Sequence, residues 1–119
     1  MVTKINSETL KRLADEVGDE TVVILLNVFS DELDQYLQKL SGQPSVTQIG
    51  DISHAIKSSA ASFGADDLAL MAQECEYRVR QGQETWMIDH LPQFRQMVEG
   101  MSIEYKQLAG SNELINRML

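Results

Sequence analysis

Apolar residues in this chain recur every third or fourth position over stretches too long for strands, and that period dictates helices. Across 20–41, Val22, Leu26, Phe29, Leu33, Tyr36 and Leu40 step alternately by four and three. That is the seam of a helix packed in a bundle. Across 84–109, Met87, Leu91, Phe94, Val98, Met101, Tyr105 and Leu108 repeat the rhythm. With two prolines and seven glycines in 119 residues, little interrupts it. Pro92 falls inside the last pattern, which predicts a kink there or a break just before it.

Three shorter segments complete the pattern. Residues 7–17 read as a first helix with Leu10, Leu13 and Val17 on one side, Asn6 or Ser7 as its cap and Gly18 as its end. Gly42, Gln43 and Pro44 end the second helix. A third is predicted from Ser45, a candidate N-cap, to Phe63, with Gly64 placed for a left-handed turn. Asp66 offers a cap for a fourth helix, 67–81, whose stripe is Leu68, Met71 or Ala72, Cys75 and Val79, and which Gly82 ends. The run from Gly110 to Leu119 is expected to form a last short turn or to fray. VVILL, the one β-rich run, sits within the second helical pattern. Long helices joined by short loops lie roughly antiparallel and bury their stripes together. The predicted fold is therefore all-α: a single domain, 1–119, in which the second to fifth helices form an antiparallel up-and-down four-helix bundle. The short N-terminal helix packs across one end.

Charge and cysteine usage narrow the function classes. Eighteen acidic residues against ten basic ones leave a formal charge of −8. A general nucleic-acid binder needs a basic surface, so no nucleic-acid partner is expected. No apolar run approaches the ~20 residues of a membrane span. MVTKINSETL has no apolar signal core, which argues against secretion. A lone cysteine cannot form an internal disulfide, which fits a reducing cytoplasm. Two histidines and one cysteine are too few for a familiar structural zinc site. The acidic residues read as spread over solvent faces.

The third helix has an odd wheel. At about 100° per residue, Ile49, Ile52, Ile56, Ala60 and Phe63 cluster on a core face. His54 lies directly opposite, with Ser58 and Ala61 close beside it and Lys57 slightly further round. A solvated face ordinarily carries Glu, Lys, Arg or Gln. Here Ala55, Ser58, Ala61 and Ser62 leave one imidazole and one ammonium above a smooth surface. An imidazole in water is largely neutral at pH 7. A neutral ring nitrogen is a competent nucleophile toward a phosphoryl group, and a nearby lysine attracts the dianionic product. The small residues also let another protein's backbone approach closely.

The spacing His54, Lys57, Ser58, Ser59, Ala60 and Gly64 resembles the signature of the histidine-containing phosphotransfer (HPt) domains of bacterial phosphorelays, and the likeness continues through Leu68. Within that family, the run SHAIKSSAASFGADDL is similar to relay proteins of quorum sensing. Many members carry glycine where this chain has Ser58, which is still small. Asp66 and Asp67 make one end of the site acidic.

The resemblance implies a phosphorelay carrier. His54 would take a phosphoryl group from a receiver-domain aspartate of a hybrid sensor kinase and pass it to the receiver aspartate of a response regulator. Lys57, Ser58 and Arg80 would neighbour the phosphate. Ala55, Ser58, Ala61, Ser62, Gly64 and Ala65 would form the docking surface, with exposed parts of the first two helices contributing. The chain would bind no cofactor of its own, and Mg²⁺ would belong to the receiver. It would be a cytoplasmic monomer and a phosphohistidine carrier rather than an autonomous enzyme. The alternative is a docking module that binds a receiver or kinase without accepting phosphate. The sequence carries no P-loop and no readable Ser–His–Asp arrangement, which disfavours a free-standing kinase or hydrolase.

Other residues have plainer readings. His90 lacks both the small-residue surround and a cation one turn ahead, so it reads as an ordinary surface histidine. Cys75 reads as a buried inert thiol, Trp86 as packing over a bundle end, and the methionines as core filling.

Overall fold

The computed structural model describes residues 5–110. The expected final turn at 111–119 lies outside the described residues. Among the described residues five helices follow one another: α1 (Ser7–Val17), α2 (Asp19–Ser41), α3 (Val46–Ser62), α4 (Asp66–Arg80) and α5 (Glu84–Ala109). Each predicted boundary is met within one or two residues. The four long helices form the bundle, in which α2 pairs chiefly with α5 and α3 with α4.

The local reasons for these helices are visible at their ends. The Asn6 side chain accepts from Thr9 N–H at 3.2 Å and starts α1. Ser45 and Gln48 form a reciprocal capping box at the start of α3. Gly18 and Gly82 take positive φ, 91° and 71°, where the chain leaves one helix for the next.

The seams predicted from periodicity are the core. Leu26, Phe29, Leu33 and Leu40 of α2 are buried with Phe94, Val98, Met101 and Tyr105 of α5. Two serines inside this seam tie α2 to α5: Ser30 Oγ donates to Ser102 O at 2.9 Å, and the Ser102 hydroxyl, 3.2 Å from Ser30 O, also reaches Asp34 Oδ1 of α2. Toward the opposite end of the pair, Arg95 donates to Leu40 O at 3.3 Å, which sets the antiparallel register. The Phe63 ring at the end of α3 stacks on Phe29 at 4.6 Å, and Tyr105 meets Phe29 edge-on at 4.9 Å. Tyr105 Oη also donates to Phe63 O at 2.6 Å, so α5 holds the last turn of α3.

The α3–α4 turn is the tightest point of the fold. Gly64 has φ +80°, and a Cβ there would stand 2.8 Å from Asn6 O. Asn6 N–H donates to Gly64 O at 2.8 Å, and its side-chain amide donates to Asp66 Oδ2 at 2.9 Å. One residue thus caps α1 and ties it across this end of the bundle.

Four expectations need correction. Asp66 does not cap α4 but is its first residue, and Ala65 takes the cap position without a side-chain bond. The α1 stripe buries Leu10 and Ala14 and leaves Val17, in its last turn, at the surface. Of the kink or break expected at Pro92, the break does not occur: α5 runs through it. Pro92 lies on the solvent side one turn after exposed Ile88, so the carbonyl it leaves without a partner can take water. His90 is partly covered, stacked on Trp86 at 3.9 Å with its Nδ1 donating to Trp86 O at 2.8 Å. Of the alternatives at the α4 stripe, Ala72 is fully buried and Met71 is half-buried.

Gly64→Ala combines a left-handed backbone with a steric clash against Asn6. It should lower stability by about 1–3 kcal/mol, read as a shift of the chemical-denaturation midpoint at unchanged slope.

Candidate functional site

Helix α3 reaches its partner closely because of Gly50. A Cβ at that position would come 3.0 Å from Val79 Cγ1 of α4. One turn further along α3 stands His54, and one turn earlier on α4 stands Glu76. The antiparallel pairing brings them together. His54 Nδ1 donates to Glu76 Oε2 at 2.6 Å, and Lys57 Nζ donates to Glu76 Oε1 at 2.6 Å. Arg80, one turn along α4, donates to Glu76 Oε2 at 3.2 Å.

The four side chains differ sharply in exposure. The Glu76 side chain is 8% exposed, whereas that of His54 is 64% exposed. Lys57 is half-buried and Arg80 is open to solvent. A buried carboxylate is costly unless its oxygens are paired, and here both are. The Lys57 bond, with His54 and Arg80 adding to it, holds the Glu76 carboxyl below its ordinary value despite burial. The ring of His54 forms one wall of a cleft of about 510 Å³, which Thr47, Gly50, Asp51, Glu76, Val79 and Arg80 also line.

The structure brings His54, Lys57 and Arg80 into one cluster. Ser58 is exposed on the same face, with Ala61 and Ser62 also exposed and Ala55 half-buried. Gly64 and Ala65 are not part of any open surface. Both are buried, Gly64 beneath Asn6 and Ala65 where its N–H donates to Ala60 O at 2.8 Å. Their small size serves the turn rather than a partner.

Glu76 was missed because its segment reads as one more acidic position on a solvent face. Only Arg80, one turn along, is a local partner: Glu76 lies beside Cys75 on the edge of the α4 stripe, and its two α3 partners are 19 and 22 residues away. Cys75 itself is fully buried, and burial pushes its thiol up to about 12, which makes it unreactive. Two exposed apolar residues were also missed. Glu32 of α2 accepts from Ser59 Oγ of α3 at 2.9 Å, which lays this edge of α2 along α3. Val28 and Ile24 lie one and two turns back on the same ridge, and are 54% and 60% exposed.

A single exposed imidazole beside two cations, on a face of small residues, is suited to receive a phosphoryl group. Comparison with known proteins gives the family. The Hpt domain family model matches residues 24–103, and the chain belongs to this family. It is a histidine phosphotransfer protein of the multistep phosphorelay type. It is 45% identical over 82 residues to the phosphorelay protein LuxU of Vibrio cholerae, covering 66% of this chain and 73% of that protein. It is 40% identical over 102 residues to LuxU of Vibrio vulnificus, covering 77% and 89%. The LuxU of Vibrio harveyi is 38% identical over 82 residues, covering 66% and 72%. No solved structure gave a significant match. Proteins of this family work with receiver domains in the relay. Among the described residues, no helix is long and apolar enough to cross a membrane.

Glu76 binds its proton less readily in the folded protein than its ordinary value of 4.5 implies. Its contribution to stability is therefore full above that value and is lost as pH falls through the lower folded one. The difference in Tm between wild type and Glu76→Gln should accordingly shrink as pH falls below about 4.5. A difference that stays constant down to pH 3 would contradict this account.

Proposed function

We propose that His54 is the phosphoryl acceptor and donor of this relay protein. The observation that carries the reading is its exposed ring at mid-α3, held beside Lys57 and Arg80, with the outward residues that follow it on α3, Ser58, Ala61 and Ser62, no larger than serine. A receiver domain of a hybrid sensor kinase, carrying an aspartyl phosphate, docks over this face. A ring nitrogen of His54 attacks phosphorus in line. The N–P bond forms as the P–O bond to the aspartate breaks, and the carboxylate leaves with the bonding pair. The same step in reverse, on the receiver of a response regulator, carries the phosphoryl group onward.

Positioning and charge dominate such transfers. The Mg²⁺ and the acidic pocket belong to the receiver, so this chain contributes the nucleophile, the cations and the docking face. Lys57 and Arg80 lie where they can meet an incoming dianion, and Ser58 keeps the approach low. Ala55, Ser58, Ala61 and Ser62 form the centre of the face, which the Ile24–Val28 ridge of α2 extends with apolar area. Partner interfaces carry such apolar contacts inside a polar rim. The chain acts in the cytoplasm as a monomeric single domain, 1–119. The similarity to LuxU proteins supports a quorum-sensing type of relay.

His54→Gln should abolish labelling by a phosphorylated receiver and Mg²⁺ while leaving the helical circular dichroism unchanged. Mass spectrometry under neutral to alkaline handling reads the label. Phosphate elsewhere on the folded variant would overturn the assignment. Stable receiver binding with no transferred phosphate would favour a docking module instead. Val28→Asp should weaken receiver binding at least about 10-fold, or ~1.4 kcal/mol, without loss of fold. Unchanged affinity by titration calorimetry would remove the α2 ridge from the interface.

A further inference from the structure

We infer that Asp51 tunes the transfer: its carboxylate raises the free energy of a phosphoryl group on His54, so that the carrier gives the group up as readily as it takes it. This rests on the reading of His54 as the phosphoryl acceptor. Asp51 precedes the His–Lys–Ser spacing, and in the sequence it is one acid among eighteen.

Its place on α3 singles it out. Asp51 stands one turn before His54, and Lys57 stands one turn after it. At about 100° per residue, the two lie about 60° to opposite sides of the imidazole. Lys57 is on the α4 side, where it reaches Glu76. Asp51 is exposed and lines the same cleft as His54, Glu76 and Arg80. Side chains three apart on a helix have Cβ atoms about 5–6 Å apart, so this carboxylate is a first neighbour of the ring. The other charges beside His54 are already paired: Glu76 takes Lys57 at 2.6 Å and Arg80 at 3.2 Å. Asp51 has no ion pair among the described residues.

The charges around the neutral imidazole therefore cancel, with Lys57 and Arg80 set against Glu76 and Asp51. Transfer adds one net negative charge. The N–P bond forms, the P–O bond to the receiver aspartate breaks, its electron pair leaves on that carboxylate, and the ring keeps its N–H proton. With Asp51 present, the phosphorylated site is left with an uncompensated negative charge. Without it, a site of net positive charge would become neutral, which makes a better resting place for the group. The carrier exchanges its phosphoryl group with aspartates on both sides, so donor and acceptor are chemically alike. A bias of a few-fold then decides where the group rests. Asp51 touches neither phosphorus nor the leaving group and acts through the field it sets at His54.

The test is an equilibrium. A receiver domain radiolabelled on its aspartate is mixed with the protein and Mg²⁺ at low ionic strength, with both proteins dilute enough to be mostly unbound. The partition of label is read from both directions. Docking alters how fast this partition is reached, whereas its position depends only on the free proteins. In Asp51→Asn, the ratio of label on His54 to label on the receiver should rise about 2- to 5-fold. The rise should shrink toward nothing in about 1 M NaCl, where charges are screened within about 3 Å. Asp51→Glu, which keeps the charge, should stay near the wild-type ratio. A merely structural residue would show neither the salt dependence nor the rescue.

An unchanged ratio in folded Asp51→Asn would overturn the proposal, and so would a rise that survives high salt. A change of rate with no shift of the ratio would make Asp51 a docking residue and end its tuning role. If Asn unsettles the helix, Asp51→Ala removes the same charge with a better helix former and is read in the same way. Absence of label on wild-type His54 would instead overturn the acceptor assignment itself.

Discussion

A carboxylate buried between two helices is tolerated only where donors meet it, and Glu76 sets that condition for the α3–α4 half of this molecule. Two of its partners, His54 and Lys57, come from α3, and the third, Arg80, comes from its own helix. The outer face of α3 is thereby pinned to α4 by charge rather than by apolar contact. Gly50 makes this possible, since a larger residue would press against Val79 and push the helices apart. The imidazole gains a fixed plane and a fixed partner while most of its surface stays open.

The bundle divides its labour between its two helix pairs. The α2–α5 pair is scaffold, closed by Phe29, Phe94 and Tyr105 and by hydrogen bonds of Ser30 and Ser102 inside the seam. In the function we propose, the α3–α4 pair carries the chemistry. The two halves are joined at the α3–α4 turn, where Tyr105 holds Phe63 O and Asn6 holds Gly64 O. Phosphoryl transfer between two proteins depends on positioning, so a rigid seat for the histidine matters more than a deep pocket. Open apolar residues on α2 beside the smooth face of α3 belong to the same logic: they are exposed because a partner covers them in the docked state we propose.

The helices were legible because their period is repeated over 11 to 26 residues and their ends carry recognisable chemistry. Asn6, Gly18, Ser45 and Gly82 mark ends through their own side chains or backbone freedom, which are local properties. The misreadings share a cause. Gly64 and Ala65 look like part of a small-residue docking face, yet small residues also serve tight turns. Only the position of Asn6 over Gly64 distinguishes the two uses. Pro92 predicts a kink or a break on local grounds; it lies on the solvent side, where α5 can lose one backbone bond and continue without a break.

By itself the sequence determined the all-α class, the helix boundaries, the core seams and the exposed His54–Lys57 face, because each depends on residues within a turn or two of one another. The phosphotransfer chemistry was readable for the same reason, since its motif lies on one helix. The tertiary structure alone decided that Glu76 is buried, that it receives His54 and Lys57, and which small residues are open to a partner. Those facts depend on how α3 and α4 are rotated against each other. That rotation results from packing across the Gly50–Val79 contact and the Gly64 turn, and no local stretch of sequence encodes it.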